Sequence, residues 1–207
     1  MADTATVDPR VATPLASQGI TKVYAVQHAQ IAQLLTDVAG SAPTYGEWLD
    51  LPGIKSFKIT GEMETKTLRG DNRLIDSQSV LTGMSASFEH AKISLIALQV
   101  MLGGSVPATK TVPYAGMGWV LPTSAFPKSF GLRVASAASD APGGAVLFDM
   151  SRCSLSKFPE LGAAEEDYQI VSAELNINPP VGTGNWLGIT IVDTYTPPAP
   201  WAPDTST

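Results

Sequence analysis

Hydrophobic and polar positions alternate most cleanly between Ile54 and Gly104. In IKSFKITGEMETKT, Phe57, Ile59, Gly61 and Met63 fall on one side, and Lys58, Thr60, Glu62, Glu64 and Lys66 on the other. Period-two patterning marks a half-buried strand. In VLTGMSASFEH, Val80, Met84, Ala86 and Phe88 oppose Ser85, Ser87 and Glu89, and two such runs in succession pair most simply as an antiparallel hairpin. Leu68 to Ser79 between them is about a dozen residues, where a hairpin needs only about two to five, so it reads as a long loop. Its Arg69, Asp71, Arg73 and Asp76 alternate in sign and suit a docking element; the plainer reading is a solvated loop tip. Next, Ile93, Ile96, Ala97, Val100 and Met101 recur at helical spacing, widened by Leu95, Leu98 and Leu102, and Gly103-Gly104 supplies a stop. The expectation is a helix over 91–102, lying across the apolar face of the hairpin.

The flanking chain is mainly strand-like. Residues 1–19, rich in Ala, Thr, Asp and Pro, read as an N-terminal arm, and ITKVYAV as a first strand. QHAQIAQLLTDVAG can be a short helix, with Ile31, Leu34, Leu35 and Val38 on one side and Gly40 as its stop, or an irregular crossover. Ser41 to Gly53 is a turn-rich connection that Tyr45 and Trp48 anchor to the core. Prolines at 107, 113, 122 and 127 forbid a continuous helix or central strand there, yet Tyr114, Met117, Trp119 and Phe126 are too apolar for a solvated linker. Strands follow in FGLRVASAAS, GAVLFDMSRCSL, DYQIVSAELNIN and WLGITIVD, the first two joined by the turn signal DAPGG. Residues 195–207 form a Pro-rich C-terminal arm whose Trp201 is its candidate anchor on a partner. The expected organisation is one β-domain over residues 20–194 between two arms.

Composition narrows the function. Of 207 residues only 15% are charged against 44% hydrophobic, so much of the surface is expected to be covered by other subunits. With 13 basic and 19 acidic residues the net charge is −6, which argues against affinity for nucleic acid but not against proximity to it. The single cysteine, Cys153, allows no intramolecular disulfide and sits in a strand-like run, as a buried thiol would. No apolar run reaches the length of a membrane span, and the polar, acidic N-terminus is unlike a signal peptide; a chain made and kept in the cytoplasm is expected.

Catalytic and cofactor signatures do not emerge. There is no phosphate-binding glycine loop, and Gly83-Met84-Ser85 fails as a nucleophile elbow because Ser87 stands where glycine is required. His28 and His90 lack a second metal ligand at a usual spacing. Glu165, Glu166 and Asp167 read as a solvated turn before a strand, and Glu62 with Glu64 as a wetted strand face. Arg69-Gly70-Asp71 spells an adhesion tripeptide that nothing else supports. No enzyme activity, metal or cofactor is expected.

The strand, LRGDNRLID, the strand VLTGMSASF and the apolar helix ending in Gly-Gly together resemble the major tail tube proteins of long-tailed bacteriophages, over about a quarter of the chain. That resemblance implies a tail-tube-type β-sandwich or barrel with a flanking helix, a long hairpin loop and extended arms. It implies hexameric rings whose sheets join into a barrel around a channel, stacked into the tube that delivers the genome. Residues 68–79 would then stack ring on ring, with Arg69, Asp71, Asn72, Arg73 and Asp76 as contacts. Lys58, Thr60, Glu62, Glu64, Ser85, Ser87 and Glu89 would face the channel, and DNA would pass without specific binding. The implied partners are further copies of the chain and the tail's initiator and terminator proteins, and the implied location is the virion. Two other classes stay open: another phage structural protein, such as a tube terminator or capsid decoration, and a monomeric ligand-binding β-sandwich with a pocket of convergent polar groups.

Overall fold

The computed structural model describes residues 21–51, 53–70, 73–92, 94–104, 116, 118–121, 123, 127–140, 143–160 and 171–197, with the backbone alone at 69–70 and 73–75. The N-terminal arm, the C-terminal arm beyond residue 197 with its Trp201, Asp71, Asn72, most of 105–126 and the Glu165–Asp167 run lie outside the described residues. The fold is mainly β: one large antiparallel sheet of nine strands and, among the described residues, a single short helix. The strands are β1 (Val23–Thr36), β2 (Thr44–Tyr45), β3 (Leu49–Asp50), β4 (Ile54–Gly70), β5 (Arg73–His90), β6 (Phe130–Ala138), β7 (Ala145–Leu155), β8 (Val171–Ile177) and β9 (Leu187–Val192), and helix α1 (Leu95–Leu102) follows β5.

The strand order is β2-β1-β6-β7-β8-β5-β4, with β3 on β1 and β9 on β7. β7 branches the sheet. Its first part, Ala145 to Met150, pairs with β9, while Cys153 to Leu155 pair with β8. The rings of Phe57 in β4 and Phe148 in β7 meet at 5.8 Å although β5 and β8 stand between their strands, so the sheet curls over on itself. The space enclosed is the core. Ile31, Phe130, Leu132, Val134, Met150 and Cys153 fill it from one side, Ala86, Phe88, Ala173, Leu175 and Ile177 from the other, and Leu98, Met101 and Leu102 of α1 complete it. Cys153 is fully buried, and burial pushes its thiol up to about 12.

Residues 27–40 correct the helical alternative. They continue strand β1 through Thr36, paired with β6 from Val23 to Gln33. Helical spacing of Ile31, Leu34 and Leu35 misled because β1 is covered on both faces at its middle. Ile31 and its neighbour Ala32 are both buried, which erases the alternation that identifies a one-sided strand. Ala32 pairs with Gly131, over which Tyr45 and Trp48 lie so closely that a Cβ at 131 would stand 2.7 Å from the Tyr45 ring. The two rings meet at 5.2 Å, tilted by 47°, and the Tyr45 hydroxyl donates to the Ser151 carbonyl at 2.8 Å. The anchoring expected of this aromatic pair is therefore present.

Helix α1 begins later than the sequence suggests. The Ala91 N–H is held by the Gly53 carbonyl at 2.9 Å, and Ala91-Lys92 form a bend. Ser94 caps the helix by accepting from the Ala97 N–H at 3.2 Å, and Gly103, at φ 78°, ends it. All of Ala97, Leu98, Val100, Met101 and Leu102 are buried.

Candidate functional site

The hairpin of β4 and β5 is the feature that outgrows the body. β8 covers β5 only from Met84 to His90, so beyond that point β4 and β5 have only each other among the described residues. Glu62 to Gly70 continue as a two-stranded ladder, roughly 30 Å long at strand rise. The expected loop over 68–79 is corrected accordingly: Leu68 pairs with Asp76, Arg69 with Leu74 and Gly70 with Arg73, so only 71–72 separate the strands. The reason is chemical as well as geometric. Thr65, Thr67, Ser77 and Ser79 are ladder formers that need no core, and the Thr65 and Ser79 hydroxyls pair at 2.9 Å across the strands. Of the proposed stacking residues, Arg69 and Arg73 lie on the ladder's last rungs, and Asp76 is exposed and accepts from the Ser77 N–H at 2.7 Å.

A second correction concerns the faces. Glu62 pairs with Gly83 but Met63 pairs with Leu81, leaving Thr82 as an extra residue in β5. This bulge reverses the alternation beyond it. Val80 therefore does not share the face of Met84, Ala86 and Phe88; it lies opposite Glu64 on the polar face, and Leu81 takes the place beside Met63 and over Gly61. Thr82 donates its hydroxyl to the Glu62 carbonyl at 3.2 Å, which ties the bulge down.

Below the bulge, the residues expected to face a channel come together. Register places Lys58, Ser87 and Glu174 in one cross-strand row and Thr60, Ser85 and Asn176 in the next, with Glu89 between Ser56 and Ser172. These rows make one polar face across β4, β5 and β8, on the side away from Phe57, Ile59, Ala86 and Phe88. Above it, both faces of the hairpin are open: Met63 is 67% exposed and Leu68 60%, and Val80 and Leu81 are exposed too. An isolated two-stranded ladder is marginal in water, and here it also exposes apolar side chains on both faces, Met63 and Leu81 on one and Val80 and Leu68 on the other. β4 ends the strand order, so among the described residues no strand pairs with its outer backbone edge either.

A polar cleft of about 240 Å³ lies elsewhere, between β1, β6, β7 and the segment after β9. Asp50 Oδ1 holds His28 Nε2 at 2.9 Å, His28 Nδ1 meets the Tyr195 hydroxyl at 2.9 Å, and Gln30 donates to the same Asp50 oxygen at 3.2 Å. The carboxylate can only accept, so Nε2 donates to it, while Nδ1 pairs with the phenol. Arg133 donates to Asp149 at 2.8 Å and lies 4.0 Å over the Trp48 ring. Burial, and then the Asp50 charge, push the Tyr195 phenol up, so it stays protonated and is a poor nucleophile. These groups saturate one another and tie residue 195 to β1; the Tyr195 N–H also donates to Gly143 at 2.8 Å. Sequence reading missed this trio because its members are far apart in the chain and only β1–β3 pairing and the return after β9 unite them. Among the described residues no group of His, Cys, Asp and Glu is placed to hold a metal ion.

No protein-family model matches the chain, and no curated protein matches it either.

Proposed function

We propose that this chain is a structural subunit of a phage tail tube and that its β4–β5 hairpin is the arm through which copies assemble into stacked rings.

 

The ring geometry, six-fold by the resemblance of LRGDNRLID, VLTGMSASF and the helix that follows, comes with that reading. The observation that carries it is the hairpin outrunning its sheet, with Met63, Leu68, Val80 and Leu81 uncovered on a ladder that lacks a third strand among the described residues. Such a ladder is stabilised by a neighbour that covers its apolar side chains and its open edge. Heterologous contacts of this kind close into rings or extend as filaments. The polar face of Lys58, Thr60, Glu62, Ser85, Ser87 and Glu89 suits a wet channel wall that carries both signs of charge and so does not trap phosphates. Within this reading the fold is a tail-tube-type sandwich or barrel with α1 at its flank, the arms lie across neighbours, and the working location is the virion.

Electron microscopy of the purified chain at rising concentration, with its mass from light scattering, tests the proposal. Tubes or stacked rings with a central hole are expected, either directly or on addition of a tail initiator complex. A compact monomer that also fails to join tubes when the initiator is supplied would overturn it.

A further inference from the structure

The junction between β5 and α1 buries a histidine in surroundings that suit only its neutral form. His90, the last residue of β5, is 3% exposed. Its Nδ1 pairs with Lys92, accepting from the Lys92 N–H at 3.1 Å in one tautomer and donating to the Lys92 carbonyl oxygen in the other. Its Nε2 is buried and has no hydrogen-bond partner among the described residues. The ring borders a cavity of about 20 Å³ walled by Leu51, Phe88, Leu98, Met101, Val171 and Ala173, with Ser94 at the helix cap. That space admits about one water, too little to hydrate an ion.

We propose that His90 is an acid-triggered latch: a proton taken up by its imidazole parts α1 from the base of the β4–β5 hairpin. An imidazolium carries two N–H donors. One would go to the Lys92 carbonyl at the expense of the bond from the Lys92 N–H, and the other would enter an apolar cavity with no acceptor placed for it among the described residues. The charges around it give no relief. Among the described residues lining the cavity, β8 and the β3–β4 connection offer only Val171, Ala173 and Leu51, and α1 only apolar side chains. Glu89 points to the opposite face of β5, and Lys92, the charge that lines the cavity among the described residues, has the same sign as the imidazolium. Burial and Lys92 both hold the ring below its ordinary value of 6.5.

The way out is to expose the ring, and α1 is the cheapest wall to move. It is eight residues long, held by its buried apolar side chains, the Ser94 cap and two hydrogen bonds at its far end, from the Lys128 N–H to the Met101 carbonyl at 3.0 Å and from the Trp119 indole to the Gly103 carbonyl at 2.9 Å, whereas Phe88, Val171 and Ala173 stand on paired strands. The open state binds a proton at the ordinary value and the closed state only below it. Stability of the closed junction is therefore complete above pH 6.5 and falls as pH drops beneath it. The latch belongs to the single chain and is independent of whether rings form.

Amide hydrogen exchange of α1 from pH 7.5 to 5.0, corrected for intrinsic rates and compared with β6, is the test. The opening constant of α1 should rise by up to about tenfold per pH unit below 6.5, with β6 unchanged. His90→Gln should flatten that dependence. If that variant does not fold, the wild-type His90 ring read by NMR decides: it should titrate below 6.5, together with loss of α1 protection. Protection of α1 that is constant to pH 5.0, an equal pH dependence in a folded His90→Gln, or a ring that titrates at or above 6.5 would overturn the latch.

Discussion

Gly182 and Ser41 meet backbone to backbone: a Cβ on Gly182 would stand 1.9 Å from the Ser41 carbonyl oxygen and 2.6 Å from that of Val38. The Thr183 N–H donates to the same Ser41 oxygen at 2.9 Å, so the loop before β9 is fastened to the turn after β1. Gly182→Ala forces two main chains apart and should cost about 3 kcal/mol, the upper range for overpacking. Urea denaturation measures it; a midpoint equal to wild type would show that the turn can yield.

Asp37 fastens the same two segments by charge. Its carboxylate accepts the Val181 and Gly182 N–H groups, each at 2.9 Å, and meets Arg152 at 3.3 Å. The two backbone N–H groups, and then Arg152, hold its carboxyl below 3.8. A lowered acid contributes stability above the unfolded value and loses it as pH falls through the folded one. Asp37→Asn should therefore be less stable than wild type at pH 7, with the gap shrinking below about pH 4. Denaturant midpoints at pH 7, 5 and 3 check this, and a gap independent of pH would refute it.

Cys153 should be inert in the native chain. It is fully buried and its thiol is pushed up to about 12, so almost no thiolate exists at neutral pH. A chromogenic thiol reagent at pH 8 should register no reaction until denaturant is added, and then one thiol per chain. Rapid labelling without denaturant would mean that β7 opens readily.

Met63→Glu combined with Leu81→Glu separates assembly from folding. Both side chains are exposed on the free ladder, so chain stability should change by about 0.5 kcal/mol or less while tube formation is lost. Arg69→Glu with Arg73→Glu, on the last rungs, should block stacking with the same indifference of the fold. Tubes of normal length from either variant, seen by electron microscopy, would remove the hairpin from the contact.

The sequence disclosed the strands wherever one face was wet. β5 below its bulge, β8 and the base of β4 alternate as written, with Ser87 and Glu174 outward and Phe88 and Leu175 inward. It concealed what depends on distant partners. β1 looked helical because Ile31 enters the core and its neighbour Ala32, beside the Gly131 that Tyr45 and Trp48 cover, is buried as well. The hairpin looked like a loop beyond Leu68 because a ladder that buries nothing has no apolar period to reveal it. The Thr82 bulge, which decides the side on which Val80 lies, left no mark beyond one residue too many. His90 read as the polar end of a strand, and only packing of α1 and β8 made it a buried base without a counterion.

The late arrival of β8 sets a hazard during synthesis. β4 and β5 are neighbours in the chain and can zip together as soon as they emerge, but the strand that completes their base starts only at Val171. Until it is made, Phe88 and Ala86 face water beside an open edge. The nascent chain passes through a stage in which a preformed ribbon can pair with another nascent copy, so slowing translation between His90 and Val171 should raise the share lost to aggregates.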